Sequence, residues 1–197
     1  MAIQRGQRMY HLKHKRILII GSSGAGKSTL SKQLSEKWDL PLIHLDTLFW
    51  NEGWVPTPKS EFQEKIKEEL KKDMWIIDGN FGSTLELRAS YADLIVFLDF
   101  SRVLCTYRVF KRAWIYRGKT RSDMALGCQE KMDLEFAKWV WRFPQDIRPH
   151  TLDILRNLKN TDICILRNPK EVKGFLMTAL HLNRKILNTI GVYQYEQ

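Results

Sequence analysis

A chain of 197 residues suffices for one domain with a sizeable core and is too short for two comfortable ones. Its hydrophobic content of 44% argues against disorder, and no apolar run approaches the roughly 18 residues of a membrane span. The net charge of +10 is concentrated: residues 1–16 hold five Arg or Lys and residues 102–121 hold seven, neither stretch with an acid, so the remainder is almost neutral. Such patches point to an anionic ligand more clearly than a diffuse excess would.

Arg5 to Arg16 form a basic extension without aromatic interleaving, read as a tail or as the lead-in to the first strand. Ile17-Leu18-Ile19-Ile20 is a short, continuous apolar run that reads as a buried strand. Gly21-Ser22-Ser23-Gly24-Ala25-Gly26-Lys27-Ser28 then satisfies the phosphate-loop pattern G-x-x-x-x-G-K-[ST], and a helix follows from Thr29 with Leu30, Leu34 and Trp38 on its buried face. Glycines let the backbone approach a polyphosphate, and successive N–H groups at a helix start cradle the anion. Residues 21–29 are therefore candidate nucleotide contacts, with Lys27 reaching the β- and γ-phosphates of ATP and Ser28 ligating Mg²⁺.

Leu42 to Leu45 reads as a second strand ending at Asp46, followed by an aromatic segment with Phe49, Trp50 and Trp54. A helix is expected near Thr57-Pro58, with Phe62, Ile66 and Leu70 inward. Trp75 to Ile77 predicts a third strand ending at Asp78-Gly79, and Leu94 to Leu98 a fourth ending at Asp99. Ser101 caps a helix through Trp114, and a basic loop runs from Arg117 to about Ser122. Helices near 129–142 and 149–158 precede a fifth strand, Ile163 to Leu166; Asn168-Pro169-Lys170-Glu171 opens a last helix to about His181. Strands alternating with helices imply an α/β fold: a parallel sheet covered on both faces, with ligands at the carboxyl ends of its strands.

Those ends collect Asp46, Asp78, Asp99, Arg167 and the glycine loop. Asp46 and Asp78 are candidates for orienting an acceptor hydroxyl or organising Mg²⁺, their roles not separable from sequence; Asp99 reads as structural. Arg108 and Arg112 share a helix face, while Arg117 and Arg121 flank Gly118 in a loop able to hinge. Arg112, Arg117 and Arg121 are candidate catalytic arginines, because an acid-free basic run repels itself unless an anion offsets it. His44 reads as a core histidine, Trp50 and Trp54 as packing residues or a stack for an acceptor ring, and Arg88 as an acceptor-phosphate contact or a surface ion pair. Cys105, Cys128 and Cys164 read as buried or indifferent thiols, and the basic N-terminus lacks a signal-type apolar stretch; both suit a cytoplasmic protein.

The phosphate loop, Ile77-Asp78-Gly79, and Phe97-Leu98-Asp99 with Arg108-x-x-x-Arg112 resemble the adenylate-kinase-like nucleotide kinases. Adding His44-Leu45-Asp46, Phe49-Trp50, Trp54, Asp78-Gly79-Asn80, Arg88 and Arg117 to Arg121, the order resembles the FlaR-like "DNA topology modulation" branch, over roughly residues 15–180. The resemblance implies a three-layer P-loop NTPase fold, a five-stranded parallel sheet in the order 2-3-1-4-5 and an arginine-rich helical lid at about 112–130. That lid belongs to a kinase domain at 15–181, between an extension at 1–14 and a tail at 182–197. It further implies nucleotide contacts from Arg108 and Arg167, and an acceptor site taking in Asp46, Trp50 and Arg88. Adenylate kinases follow the third strand with D-G-F-P-R, whereas here Asp78-Gly79-Asn80-Phe81-Gly82 lacks that arginine, so the acceptor need not be AMP. The expected function is transfer of the ATP γ-phosphoryl to a small acceptor, for example a nucleoside monophosphate. The alternatives are an ATP-regulated nucleic-acid-binding protein and a sugar or hydroxy-acid kinase.

Overall fold

Ile17 to Ile20 are fully buried in β1 (Arg16–Gly21), because this strand is sheltered on both edges and both faces. In this computed structural model, which describes residues 14–181, β1 pairs in parallel with β5 (Trp75–Asp78) on one side and β6 (Leu94–Leu98) on the other. The register sets Ile17 beside Ile76 and Leu94, and Ile19 beside Asp78 and Val96. β2 (Leu42–His44) extends the sheet beyond β5, and β7 (Asp162–Leu166) extends it beyond β6. The order β2-β5-β1-β6-β7 is the 2-3-1-4-5 arrangement expected of the five main strands. Expectations for residues 1–13 and 182–197 lie outside the described residues.

The twofold alternation of strand side chains divides the core between the two faces. Ile17 and Ile19 pack with Leu30 and Leu34 of α1 (Lys27–Trp38), Cys105 and Val109 of α5 (Arg102–Ile115), and Phe175 of α8 (Pro169–His181). Leu18 and Ile20 pack with Phe62 and Ile66 of α3 (Lys59–Leu70), Ala89 of α4 (Leu85–Tyr91), and Leu155 of α7 (Arg148–Arg156). Each such aliphatic side chain contributes about 1.5–3 kcal/mol on burial. α6 (Leu134–Asp146) leans on both clusters, through Val140 on one and Phe143 on the other.

Several boundaries differ from the sequence reading. The second strand stops at His44, and Leu45–Phe49 turns at once into the short helix α2, which puts Asp46 on a helical first turn rather than at a strand end. The aromatic segment is a small hairpin, β3 (Trp50–Asn51) with β4 (Val55–Pro56), across a 3₁₀ turn. α4, between the third and fourth main strands, has no counterpart in the expected elements. The helix expected near 129–142 starts at Leu134, where the Asp133 carboxylate accepts from the Phe136 N–H at 3.0 Å. Asn168 and Glu171 form the expected capping box: Asn168 Oδ1 accepts from the Lys170 and Glu171 N–H groups, and Glu171 accepts from the Arg167 N–H.

β1 is where crossovers depart in opposite directions, so a crevice opens beyond its carboxyl end, and the glycine loop sits there. Gly21 has φ +142, and a Cβ on it would lie 2.6 Å from the Leu98 carbonyl oxygen, whereas Gly118 has φ +70 with nothing within 4 Å. Gly21→Ala should therefore lower the free energy of unfolding by about 2–3 kcal/mol. Gly118→Ala should cost about 1 kcal/mol. Urea melts of the two variants check this, and equal losses would refute the packing argument.

Candidate functional site

Lys27 opens α1 and is half-buried at the loop's mouth, its Nζ donating to the Ser22 carbonyl at 3.1 Å. Burial pushes its ammonium below the ordinary lysine value, against the pull of the Asp78 and Asp46 carboxylates facing it. Arg108, on the adjoining helix α5, donates to the Gly24 and Ala25 carbonyls at 3.4 and 3.3 Å and lies over the Phe100 ring. The loop is thus braced from its own helix and from α5.

The floor is built around Asp78 at the end of β5. Ser31 Oγ of α1 donates to one carboxylate oxygen at 2.7 Å, and His44 Nδ1 at the end of β2 bonds the other at 2.8 Å. Three elements are pinned to one buried carboxylate. Asp46, half-buried on the first turn of α2, has its carboxyl raised by burial and by Asp78, with Lys27 opposing. A carboxyl in that setting is suited to accept a proton from a hydroxyl.

The cover is the segment between α5 and α6, folded on itself by bridges pairing Arg117 with Glu130 and Thr120 with Gln129. Glu130 is buried and takes Arg112 Nη2 at 3.4 Å and Arg121 Nε at 2.8 Å; Arg121 Nη1 also reaches Asp123 at 3.2 Å. Arg112 Nη1 reaches down to Ser23 Oγ at 3.3 Å. The seven-residue basic run is therefore offset by two acids that lie just beyond it in sequence and among its arginines in space. Burial lowers the Arg112 guanidinium, which Arg121 reinforces and Glu130 opposes.

The cover meets the aromatic hairpin directly. Trp54 Nε1 donates to the Gln129 carbonyl at 2.9 Å, and the Cys128 thiol donates to the Asn51 carbonyl at 3.3 Å. Trp54 has φ +65, a conformation unfavourable for a bulky residue and held by its surroundings. Its ring packs edge-on against Trp50 at 5.4 Å.

These parts enclose one cleft of about 1170 Å³. It brings together Ser23 to Thr29, Asp46, Trp50, Asp78, Arg108, Arg112 and Arg121, with Gly21 and Ser22 supporting the loop from beneath. Three expected residues lie elsewhere. Arg117 is exposed and faces a separate hollow with Trp114 and Met132, because the cover's turn carries it outward. Arg167 is exposed and does not line the cleft. Arg88 is fully buried, donating to Thr84 Oγ1, the Gly79 carbonyl and the Phe81 carbonyl; burial pushes it down to about 9. Its guanidinium supports the turn after β5 rather than facing the cleft.

Sequence reasoning missed Ser31, Asp123 and Glu130, and also Phe136 and Trp139, whose stacked rings line the cleft; His44, read as a satisfied histidine, is satisfied by Asp78. A signal existed for Ser31, four residues after Lys27 on the buried face of the same helix. For the two acids the signal was their nearness to the basic run, hidden by counting charges only to residue 121. Among the described residues no three His, Cys, Asp or Glu side chains converge to hold a metal by themselves. The Ser28 hydroxyl with a few carboxylates facing it instead suits Mg²⁺ carried in on phosphates, since that ion is commonly held by one or two carboxylates plus substrate oxygens.

Two expectations follow from this geometry. Burial alone would lower the His44 imidazole, but the hydrogen bond and charge of Asp78 outweigh it and raise the group. Protonated His44 then stabilises the folded chain fully below the usual histidine range, and that contribution is lost as pH rises through the raised value. With EDTA present, the urea midpoint should fall from about pH 6 to about pH 8, and His44→Gln should flatten the fall. An unchanged profile would contradict the pairing. Trp54→Phe, which keeps the ring and removes the N–H, should expose the cover to trypsin roughly fivefold more, the worth of one hydrogen bond of about 1 kcal/mol. Equal cleavage rates would show that the contact does not hold the cover.

No protein-family model matches this chain, and no curated protein does. Solved structures do. A shikimate kinase from Bacteroides thetaiotaomicron superposes with a TM-score of 0.54 at 18% identity, over 86% of this chain and 98% of that one. Shikimate kinase from Acinetobacter baumannii in complex with shikimate gives 0.53 at 14% identity, over 90% and 95%. Deoxyadenosine kinase from M. mycoides with bound dATP gives 0.47 at 15%, over 84% and 98%. At these identities the likeness establishes the architecture alone: the chain has the P-loop kinase-like α/β fold.

Proposed function

We propose that this protein is an ATP-dependent phosphotransferase of the nucleotide-kinase type, moving the γ-phosphoryl group to a small acceptor held at Asp46 and Trp50. The observation that carries the reading is the single cleft in which Lys27 and Ser28 face Asp46 beneath Arg112 and Arg121. The kinase fold shared with the shikimate kinases supports it, and the motif order supports placement in the FlaR-like branch.

On this reading the loop N–H groups and Lys27 hold the β- and γ-phosphates, while Ser28 and the facing carboxylates hold Mg²⁺, which neutralises phosphate charge when bound. Asp46 accepts the acceptor's proton as its oxygen bonds the γ-phosphorus, and the bond from that phosphorus to the ADP oxygen breaks. Arg112 and Arg121 exchange Glu130 for the charge on the transferring group and, with the cover closed, keep water out. The residues 112–130 act as the lid. The stacked Phe136 and Trp139 and the Phe100 ring flank the place for the donor base.

A second reading, a sugar or hydroxy-acid kinase, is favoured by the placement of Arg88. That cation is spent on two carbonyls and a hydroxyl, so the β5 side offers the acceptor a carboxylate and aromatic rings rather than a guanidinium. A nucleic-acid partner draws no support from the lid, whose Arg112 and Arg121 are matched by its own acids.

ADP release from ATP should depend on one member of a panel of nucleoside monophosphates, nucleosides, sugars and hydroxy acids. Absence of any acceptor-dependent ADP would end this reading. Lys27→Ala should lower that rate about 10²–10³-fold, the usual cost of removing a charge-stabilising donor, with the fold retained by circular dichroism.

A further inference from the structure

We propose that Asp123, on the lid, is a positioning residue for the nucleotide-bound divalent cation, so that cation binding and lid closure occur together. The inference rests on the nucleotide-binding part of the proposed function.

Asp123 lies two residues beyond Arg121, mostly buried, and lines the cleft with Ser28. Its carboxylate pairs with the Arg121 guanidinium at 3.2 Å and is hydrogen-bonded with the Ser28 side chain. The lid therefore carries a carboxylate down to the hydroxyl that would ligate Mg²⁺. On the floor, each oxygen of Asp78 already makes one hydrogen bond, with Ser31 at 2.7 Å and with His44 at 2.8 Å, and Asp46 faces Lys27.

A lone carboxylate above a phosphate loop is repelled by the polyphosphate arriving there. A divalent cation between them reverses the sign, since both anions then bind the same ion. Mg²⁺ favours this arrangement of one or two carboxylates with phosphate oxygens and water. Arg121, now sharing its charge between Asp123 and Glu130, is released toward phosphate as Asp123 turns to the cation. Without the cation the same carboxylate opposes closure over the nucleotide, which makes the lid selective for the metal complex.

The test is calorimetric binding of ADP and of a non-hydrolysable ATP analogue to the full-length chain, each with Mg²⁺ and with EDTA. In the unaltered protein Mg²⁺ should tighten binding. Asp123→Asn should reduce that enhancement about 10-fold or more, the usual cost of removing a metal-supporting partner, while metal-free affinity holds or improves. Asp123→Glu should restore part of it, which separates the effect from misfolding. An unchanged enhancement in Asp123→Asn overturns the inference and leaves the kinase reading standing. Tighter binding of both forms with the enhancement intact also overturns it, showing a plug rather than a cation partner. If the unaltered protein binds neither nucleotide, the function proposed above fails, and this inference with it.

Discussion

The arrangement depends on one buried carboxylate. Asp78 is 4% exposed, and an ion so placed costs several kcal/mol unless its lone pairs are filled. Ser31 and His44 each supply one hydrogen bond, one from the helix after the phosphate loop and one from the edge strand. Neither partner can leave without stranding the charge, so α1, β5 and β2 are held in one relation. That relation sets the loop lysine opposite Asp46.

Charge balance above the floor is handled by the cover between α5 and α6. Arg112 and Arg121 sit close enough to repel each other, and Glu130 lies between them, with Asp123 pairing Arg121 inside the cleft. The acids hold both guanidinium groups at the cleft. Ion pairs this deeply placed lose to desolvation much of what they gain in attraction, so their effect here is orientation. The same segment is further tied to the hairpin through Trp54 and Cys128, so the cover over the loop and the wall beside Asp46 form one continuous roof.

The strands were legible because burial on both faces leaves continuous apolar runs, as in Ile17 to Ile20 and Leu94 to Leu98; their order in the sheet came only with the family resemblance. The phosphate loop was legible because its backbone geometry demands glycines at set positions. What escaped was short or spatial. α2 and the hairpin span too few residues to show a period, so Asp46 was taken for a strand end. Arg117 was grouped with Arg121 by sequence, yet the cover turns between them and separates their faces. The offsetting acids escaped because repulsion among charges is a property of distance in space, and a window along the chain ends where the fold does not. His44 was read as a satisfied core residue, which describes its hydrogen bond and misses whose charge it satisfies.

Arg88 bears on what the cleft accepts. A fully buried guanidinium without a carboxylate is costly, and this one is tolerated because two carbonyls and a hydroxyl of the turn after β5 converge on it. Its position stiffens that turn, which passes beside Phe49, and Phe49 in turn packs edge-on against Trp50. The wall beside Asp46 is thereby rigid and aromatic. On the proposed reading, discrimination at such a wall comes from ring shape and from a hydroxyl placed against Asp46. A phosphate at the same place would meet a carboxylate with no guanidinium to offset it, and would have to draw on the lid arginines that the transferring group itself requires.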